Sequence, residues 1–376
     1  MKSTRFYAVI IALLTIALIV LGSAIVMSAS STYSVFKQGN QFALFKSHIS
    51  KGVFAIGLLM LFAFIPVSFV KKYTKHALIL SILILFVTAF FMPEVKGARR
   101  WFYMPGFSFQ PADLVKTFLF LHLAVMIDGL GEKLKEFKEG LAYPLIWVGV
   151  VVLLFAKQPN MSNAIMTILV SVSLLYIAGA RIKHLVGVFG SGFIMMGGLM
   201  LLMPHSRVRI LNFFNSVNSG ESMNIQVQQA LYSLGSGGLF GVGFGHSNQR
   251  NLFLPEAHGD FVFAILGEEL GFVGAISVLI VFMMIGFFGI LIAKNATNRA
   301  DQLIALVISL SIVLHAVINA SVASGFLPTT GIPLPLVSHG GTNMIFVAIS
   351  IGILVQIGIV AESDEHSLAP DRLGLQ

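Results

Sequence analysis

LPEAHGDFVFAILGEELGFVGAISVLIVFMMIGFFGILIA, residues 254–293, carries the reading on which the fold turns. From Phe261 to Ala293 the chain stays apolar for longer than the roughly 20 residues a helix needs to cross a bilayer. Immediately before it, Glu256, His258 and Asp260 fall within five residues. Ionisable side chains at a membrane boundary are expensive to keep and mark function. This loop is therefore the first place to look for chemistry.

Composition extends the membrane reading to the whole chain. Hydrophobic residues make up 56% and charged residues 11% of its 376 residues, and the mean hydropathy is +0.89. A soluble domain is nearer a quarter charged. There is no cysteine, which excludes disulfides, thiolate catalysis and Cys-ligated metal. The formal net charge of +8 is spread over short loops, which argues against nucleic acid as a partner and is compatible with anionic lipid.

The apolar runs predict an all-α polytopic integral membrane protein with about ten spans, near 8–28, 52–70, 77–92, 111–127, 141–157, 163–180, 184–203, 261–293, 302–325 and 342–361. The first run is longer than the apolar part of a cleavable signal, which favours a retained anchor. The chain 1–376 reads as one transmembrane domain with a large loop at about 204–260 and a short tail at 362–376. With the N-terminus inside, lysines 71, 72, 75, 133, 135 and 138 and the basic pairs Arg181/Lys183 and Lys294/Arg299 fall on the inner side, as the positive-inside rule requires. The tail acids Glu362, Asp364 and Glu365 return to the cytoplasm.

The outer side nevertheless carries Lys37, Lys46, Lys51, Lys96, Arg99, Arg100, Lys157, Arg207, Arg209 and Arg250. The first three lysines read as tolerated loop charge. Clustered arginines match the geometry of phosphate, so Arg99, Arg100, Arg209 and Arg250 are candidates for binding an anionic group. KGARRW (96–101) supplies an interfacial tryptophan, Trp101, and leads into FQPADLVK (109–116). There Pro111 favours a helix start, and Asp113 and Lys116 share one helical face at i, i+3. A local ion pair would explain that spacing; placement inside the fourth span instead suggests that both line a polar cavity.

QVQQALYSLGSGGLFGVGFG (226–245) is dense in glycine. No strand precedes it and no GKS or GKT follows, so it fails as a phosphate-binding loop. Close backbone approach and tight turns are its expected use. PTTGIPLPLVSHGG (328–341), which includes Ser338, is uncharged yet irregular. Such backbone survives at membrane depth only when buried in protein or facing water, and it is read as a re-entrant roof over the same cavity.

The ordered stretches KGARRW, FQPADLVK, QALYSLGSGGLFGVGFG, LPEAHGDFVFAILGEELGFVG and PTTGIPLPLVSHGG resemble the SEDS family (shape, elongation, division and sporulation), which includes FtsW, RodA and SpoVE. PEAH followed by GEELG is most similar to the FtsW branch. The resemblance implies a peptidoglycan glycosyltransferase that polymerises lipid II at the outer face of the bacterial cytoplasmic (inner) membrane. It also implies a class B penicillin-binding protein transpeptidase as partner, among other divisome or elongasome membrane proteins. It places the family's essential loop aspartate at Asp260 and its conserved tryptophan, acid and lysine at Trp101, Asp113 and Lys116. Three positions depart from the family pattern: Gly259 for threonine, Asn160 for the acid of Gln-Pro-Asp, and His339 for the tyrosine of Ser-Tyr-Gly-Gly.

Joining two lipid-linked sugars requires a base for the acceptor hydroxyl and cations for the leaving pyrophosphate. Asp260 is the candidate base. Arg99, Arg100, Lys116, Arg209 and Arg250 are candidates for the pyrophosphate, with Trp101, Asp113, Glu256, His258 and Ser338 completing the substrate-binding set. A divalent cation, Mg or Mn, would share the charge neutralisation, although no all-protein metal cage is recognisable. Two other readings remain: a flippase for lipid-linked precursors, which would also use broken helices and intramembrane charge, and a noncatalytic scaffold.

Overall fold

The computed structural model describes residues 3–95, 97–104, 107–202, 207, 224–251 and 253–372. Eleven helices are named among them: α1 Thr4–Gln38, α2 Ala43–Phe64, α3 Val67–Phe91, α4 Pro111–Leu130, α5 Ala142–Lys157, α6 Met161–Ile177, α7 Ile182–Leu202, α8 Ile225–Ser236, α9 Val262–Lys294, α10 Arg299–Ala323 and α11 Thr342–Arg372. Eight helical stretches are long and apolar enough to cross a membrane, and α6 is a shorter apolar helix. The chain is a polytopic all-α membrane protein. Helix α7, at 21 residues, coincides with the run expected at 184–203.

Several boundaries differ from the sequence expectation. The second and third spans begin well before 52 and 77, at Ala43 and Val67, and the break between them is Ile65–Pro66 rather than the lysine triplet. Ile65 is extended (φ −73°, ψ 125°), as the residue before proline prefers, and Pro66 starts the next helix. Lysines 71, 72 and 75 therefore lie on the opening turns of α3, while Lys46, His48 and Lys51 lie on α2 rather than in a loop. At the C-terminal end the helical backbone of α11 runs through the expected tail to Arg372.

Helix α8 is the other departure, inside a stretch read as turns. Its apolar residues Val227, Ala230 and Leu234 recur at i, i+3 and i+7, the spacing of one helical face, and Val227 and Ala230 are buried. Asn224 caps it, its side chain accepting from Gln226 N–H at 2.9 Å. Residues 102–104 and 107–109 pair as a short antiparallel hairpin, β1–β2, with Phe102 opposite Phe109.

The bundle core forms where α11 packs on α1 and α2, α10 on α4 and α9, and α3 on α4. The glycine-rich stretch lies directly against α9, backbone on backbone. Val242 and Gly243 N–H groups donate to the carbonyls of Glu268 and Glu269, and Phe272 and Val273 N–H groups donate to those of Gly238 and Leu239. Helix α9 is interrupted there at Gly271 (φ 71°, ψ −173°). A Cβ at Gly241 would stand 2.1 Å from the Glu269 carbonyl oxygen, so close approach, rather than phosphate binding, accounts for the glycine. Buried Glu268 anchors this packing, accepting from Ser233 (2.8 Å), Ser247 (2.5 Å) and Asn248 N–H (2.9 Å).

Candidate active site at the loop-rich end

Helix α4 begins with Pro111, so Asp113 falls in its first turn, where the helix dipole favours a carboxylate. Lys116, one turn on, pairs with Asp113 at 3.2 Å. Both are buried, 8% and 5% exposed. The lysine has three N–H donors, and three acceptors surround it: Asp113 Oδ1, Asn163 Oδ1 at 2.6 Å and His315 Nε2 at 3.3 Å. Nδ1 of His315 lies 2.7 Å from the Ser311 carbonyl, so Nδ1 carries the ring proton and Nε2 is the acceptor. Asp113 also accepts from Asn343 (3.2 Å) and Thr342 (3.4 Å) at the start of α11. The pair is thus satisfied on every side.

These residues border a cavity of about 40 Å³, closed deeper in the bundle by Ser311, Ile312, Phe346 and Ser350. That volume holds a few waters. A cavity does border Asp113 and Lys116, but most of its lining surface is apolar and it is far too small for a sugar pyrophosphate.

Above it the irregular segments are stitched together. Asn319, one turn beyond His315 on α10, donates to the carbonyls of both Asp260 (2.9 Å) and Ile332 (2.8 Å). Ser338 Oγ donates to the Gly259 carbonyl at 2.8 Å and accepts from Leu334 N–H at 2.8 Å. His339 N–H donates to the His258 carbonyl at 2.9 Å, and Ser162 Oγ donates to the Thr330 carbonyl. Asp260 itself is half-buried. Its Oδ2 lies 3.4 Å from where a Cβ on Gly331 would stand, and Gly331 holds φ +72°. The N-cap of α9 is Phe261, so Asp260 is one residue outside the capping position. Glu256 (φ 58°) and Leu336 (φ 64°) sit in left-handed backbone on the two segments that meet here, a strain usually found at functional sites.

The remaining candidates divide. Arg100 donates to the Pro159 carbonyl and Arg99 to the Phe90 carbonyl at 2.7 Å. Trp101 is half-buried beside them and Glu256 is exposed. Arg250 Nη1 donates to Ser28 Oγ at 3.2 Å, and Ser28 in turn donates to Glu269, an arrangement that ties the loop to α1 and α9. Arg209 lies outside the described residues. The His258 ring packs on Tyr33 at 4.9 Å. Burial, with Lys51, His48 and His258 nearby, pushes His339 down to about 3. Among the described residues no group of three or more His, Asp or Glu is placed to hold a metal ion. Asn163, His315, Asn319, Thr342 and Asn343 were missed by sequence reading; their signal is a polar residue within an otherwise apolar span.

A polytopic helical bundle with a buried ion pair beneath hydrogen-bonded, irregular loops defines the class. The family described as "Cell cycle protein" (FtsW, RodA, SpoVE) matches residues 8–362, and the chain belongs to it. It is 30% identical over 360 residues to the "Probable peptidoglycan glycosyltransferase FtsW" of Geobacter sulfurreducens (strain DL-1 / KN400), covering 95% of this chain and 96% of that one. To the "Stage V sporulation protein E" of Bacillus subtilis (strain 168) it is 31% identical over 356 residues, covering 93% and 96%. The fold is similar to that of Thermus thermophilus RodA (TM-score 0.69, 23% identity, 93% and 95% covered). It is also similar to a chain solved in a study of "Structural coordination of polymerization and crosslinking by a peptidoglycan synthase complex" (TM-score 0.75, 22% identity, 93% and 97% covered).

Proposed function

We propose that the chain is a peptidoglycan glycosyltransferase that polymerises lipid II, with its loop-rich end facing outside the cytoplasmic membrane. The observation that carries this reading is on α10. His315 holds Lys116 and Asn319, one turn later, holds the Asp260 loop, so the partners of the buried cation and of the loop lie only ~6 Å apart along one helix.

In the reaction, a hydroxyl oxygen of the acceptor sugar attacks the anomeric carbon of the donor. The bond from that carbon to phosphate breaks, and pyrophosphate leaves on its lipid. Asp260 takes the hydroxyl proton. Lys116 contributes positive charge from below, and direct contact with phosphate requires exchange of one of its three partners. We assign the headgroup to Arg99, Arg100 and Trp101, because the 40 Å³ cavity at Lys116 is too small to hold it. Glu256, on the same loop as Asp260, is the carboxylate that would hold a divalent cation, which would supply charge neutralisation for the leaving group. A transpeptidase that crosslinks the product is the expected partner.

The full chain, reconstituted with its transpeptidase and given labelled lipid II, is expected to yield glycan polymer. A well-folded preparation that moves lipid II between leaflets and makes no polymer would favour the flippase reading.

A further inference from the structure

Lys51 is half-buried on α2, and among the described residues it makes no ion pair or hydrogen bond. Lys116, by contrast, has its three donors engaged. The Lys51 ammonium stands 3.7 Å from where a Cβ on Gly341 would lie. Gly341 leads into α11, whose first N–H groups have no carbonyl partner within the helix and carry partial positive charge.

Two imidazoles adjoin it. His48, one turn earlier on α2, is 1% exposed and its Nε2 has no partner. The His339 ring lies 5.7 Å from the His48 ring, and its Nδ1 is likewise buried without a partner. A neutral imidazole places its proton on whichever nitrogen has an acceptor. An ammonium, two such rings and a helix N-terminus make a donor set suited to an anion. A metal cation suits the cluster poorly, because the ammonium repels it and no metal-holding group is found among the described residues.

The apolar groove of about 400 Å³ between α1 and α2, bordered by Ser23, Met27, Phe45, Ile49, Gly52 and Val53, lies on another face of α2, since Ile49 and Val53 are each two residues from Lys51. We infer that Lys51, His48 and His339 bind the pyrophosphate of a second lipid-linked sugar, on the α2 flank of the 338–343 segment. The inference rests on the proposed function in one respect: joining two lipid-linked sugars requires two pyrophosphate sites. Asp113, bonded to Thr342 and Asn343, marks the α4 flank of the same segment.

The test is binding of fluorescent lipid II to the full chain in phosphatidylcholine nanodiscs. Wild type is expected to bind two molecules. Lys51→Gln and His339→Asn are expected to weaken one of the two by at least about tenfold, and Lys51→Arg to retain it. Lys51→Met, which removes an unpaired half-buried charge, is expected to keep or raise the thermal unfolding midpoint while losing that site, which separates binding from folding. Unchanged lipid II binding in well-folded Lys51→Gln protein overturns the inference and leaves the proposed function standing. Equal competition at that site by phosphatidylglycerol also overturns it, because the site would then read any phosphate headgroup. Wild-type protein that binds no lipid II overturns both.

Discussion

Asp113 and Lys116 show what a buried ion pair demands of its neighbours. Each charge is nearly enclosed, and each is met by further hydrogen bonds from α6, α10 and α11. Removing one partner leaves the other charge buried and unpaired, which costs about 3–5 kcal/mol. Lys116→Met should therefore destabilise the protein by about that amount. Asp113→Asn combined with Lys116→Met should recover much of the loss, because no lone charge remains. Denaturation of the purified protein in detergent measures both. Equal destabilisation by the single and double variants would mean that the hydrogen bonds, and not the charge pair, hold this part of the bundle. The spacing of the pair was legible in the sequence. Its partners were not, because Asn163, His315 and Asn343 lie on three different helices and only tertiary packing brings them to one point.

At the scale of elements, the glycine-rich stretch and α9 are one unit. Gly238 and Gly241 both hold positive φ, +52° and +82°, but they differ in what surrounds them. A Cβ at Gly238 meets nothing within 4 Å, whereas at Gly241 it would stand 2.1 Å from a backbone oxygen of α9. Gly238→Ala should cost only the ~1–2 kcal/mol of a left-handed alanine. Gly241→Ala carries the same penalty and also breaks the contact that bears the Val242 and Gly243 hydrogen bonds, so its loss of folded protein should be clearly larger. Thermal unfolding of the two variants side by side checks this; equal midpoints would remove the close approach from the account. The need of those glycines for close packing was readable from their density and the absence of any phosphate-loop context. Helix α8 was not, because its apolar positions are interleaved with glutamines and run straight into the glycines. The α2–α3 break was written at Pro66 but was outweighed by the lysine triplet, which marks polarity rather than where a helix ends.

For the whole molecule, the apolar runs alone placed nearly every span, since a bilayer-crossing helix needs a long apolar stretch and little else. Under the proposed orientation, which rests on loop charge, α2 starts outside and the turn after α4 lies inside. The chain has no cysteine, so single cysteines report cleanly. In intact cells an impermeant maleimide should label Lys46→Cys and leave Lys133→Cys unlabelled until the membrane is opened. The reverse pattern would invert the bundle and move Asp260 to the cytoplasm. What the sequence did not reveal at this scale is how the 256–260 and 328–343 segments meet. Their contacts run through backbone carbonyls and through Asn319 and Ser338, and carbonyls carry no signal in side-chain patterns.

Under the proposed function the Asp260 carboxylate removes the acceptor proton in glycosyl transfer, and Asp260→Asn isolates that role. Asparagine keeps the size and the backbone bond to Asn319 but is no longer a base. The measurement is the initial rate of lipid II polymerisation by the reconstituted full chain with its transpeptidase, alongside its unfolding midpoint. The account predicts an unchanged midpoint and a rate lower by about a hundredfold to ten-thousandfold. Polymerisation at close to the wild-type rate would contradict it and move the search for the base to Glu256 and His258.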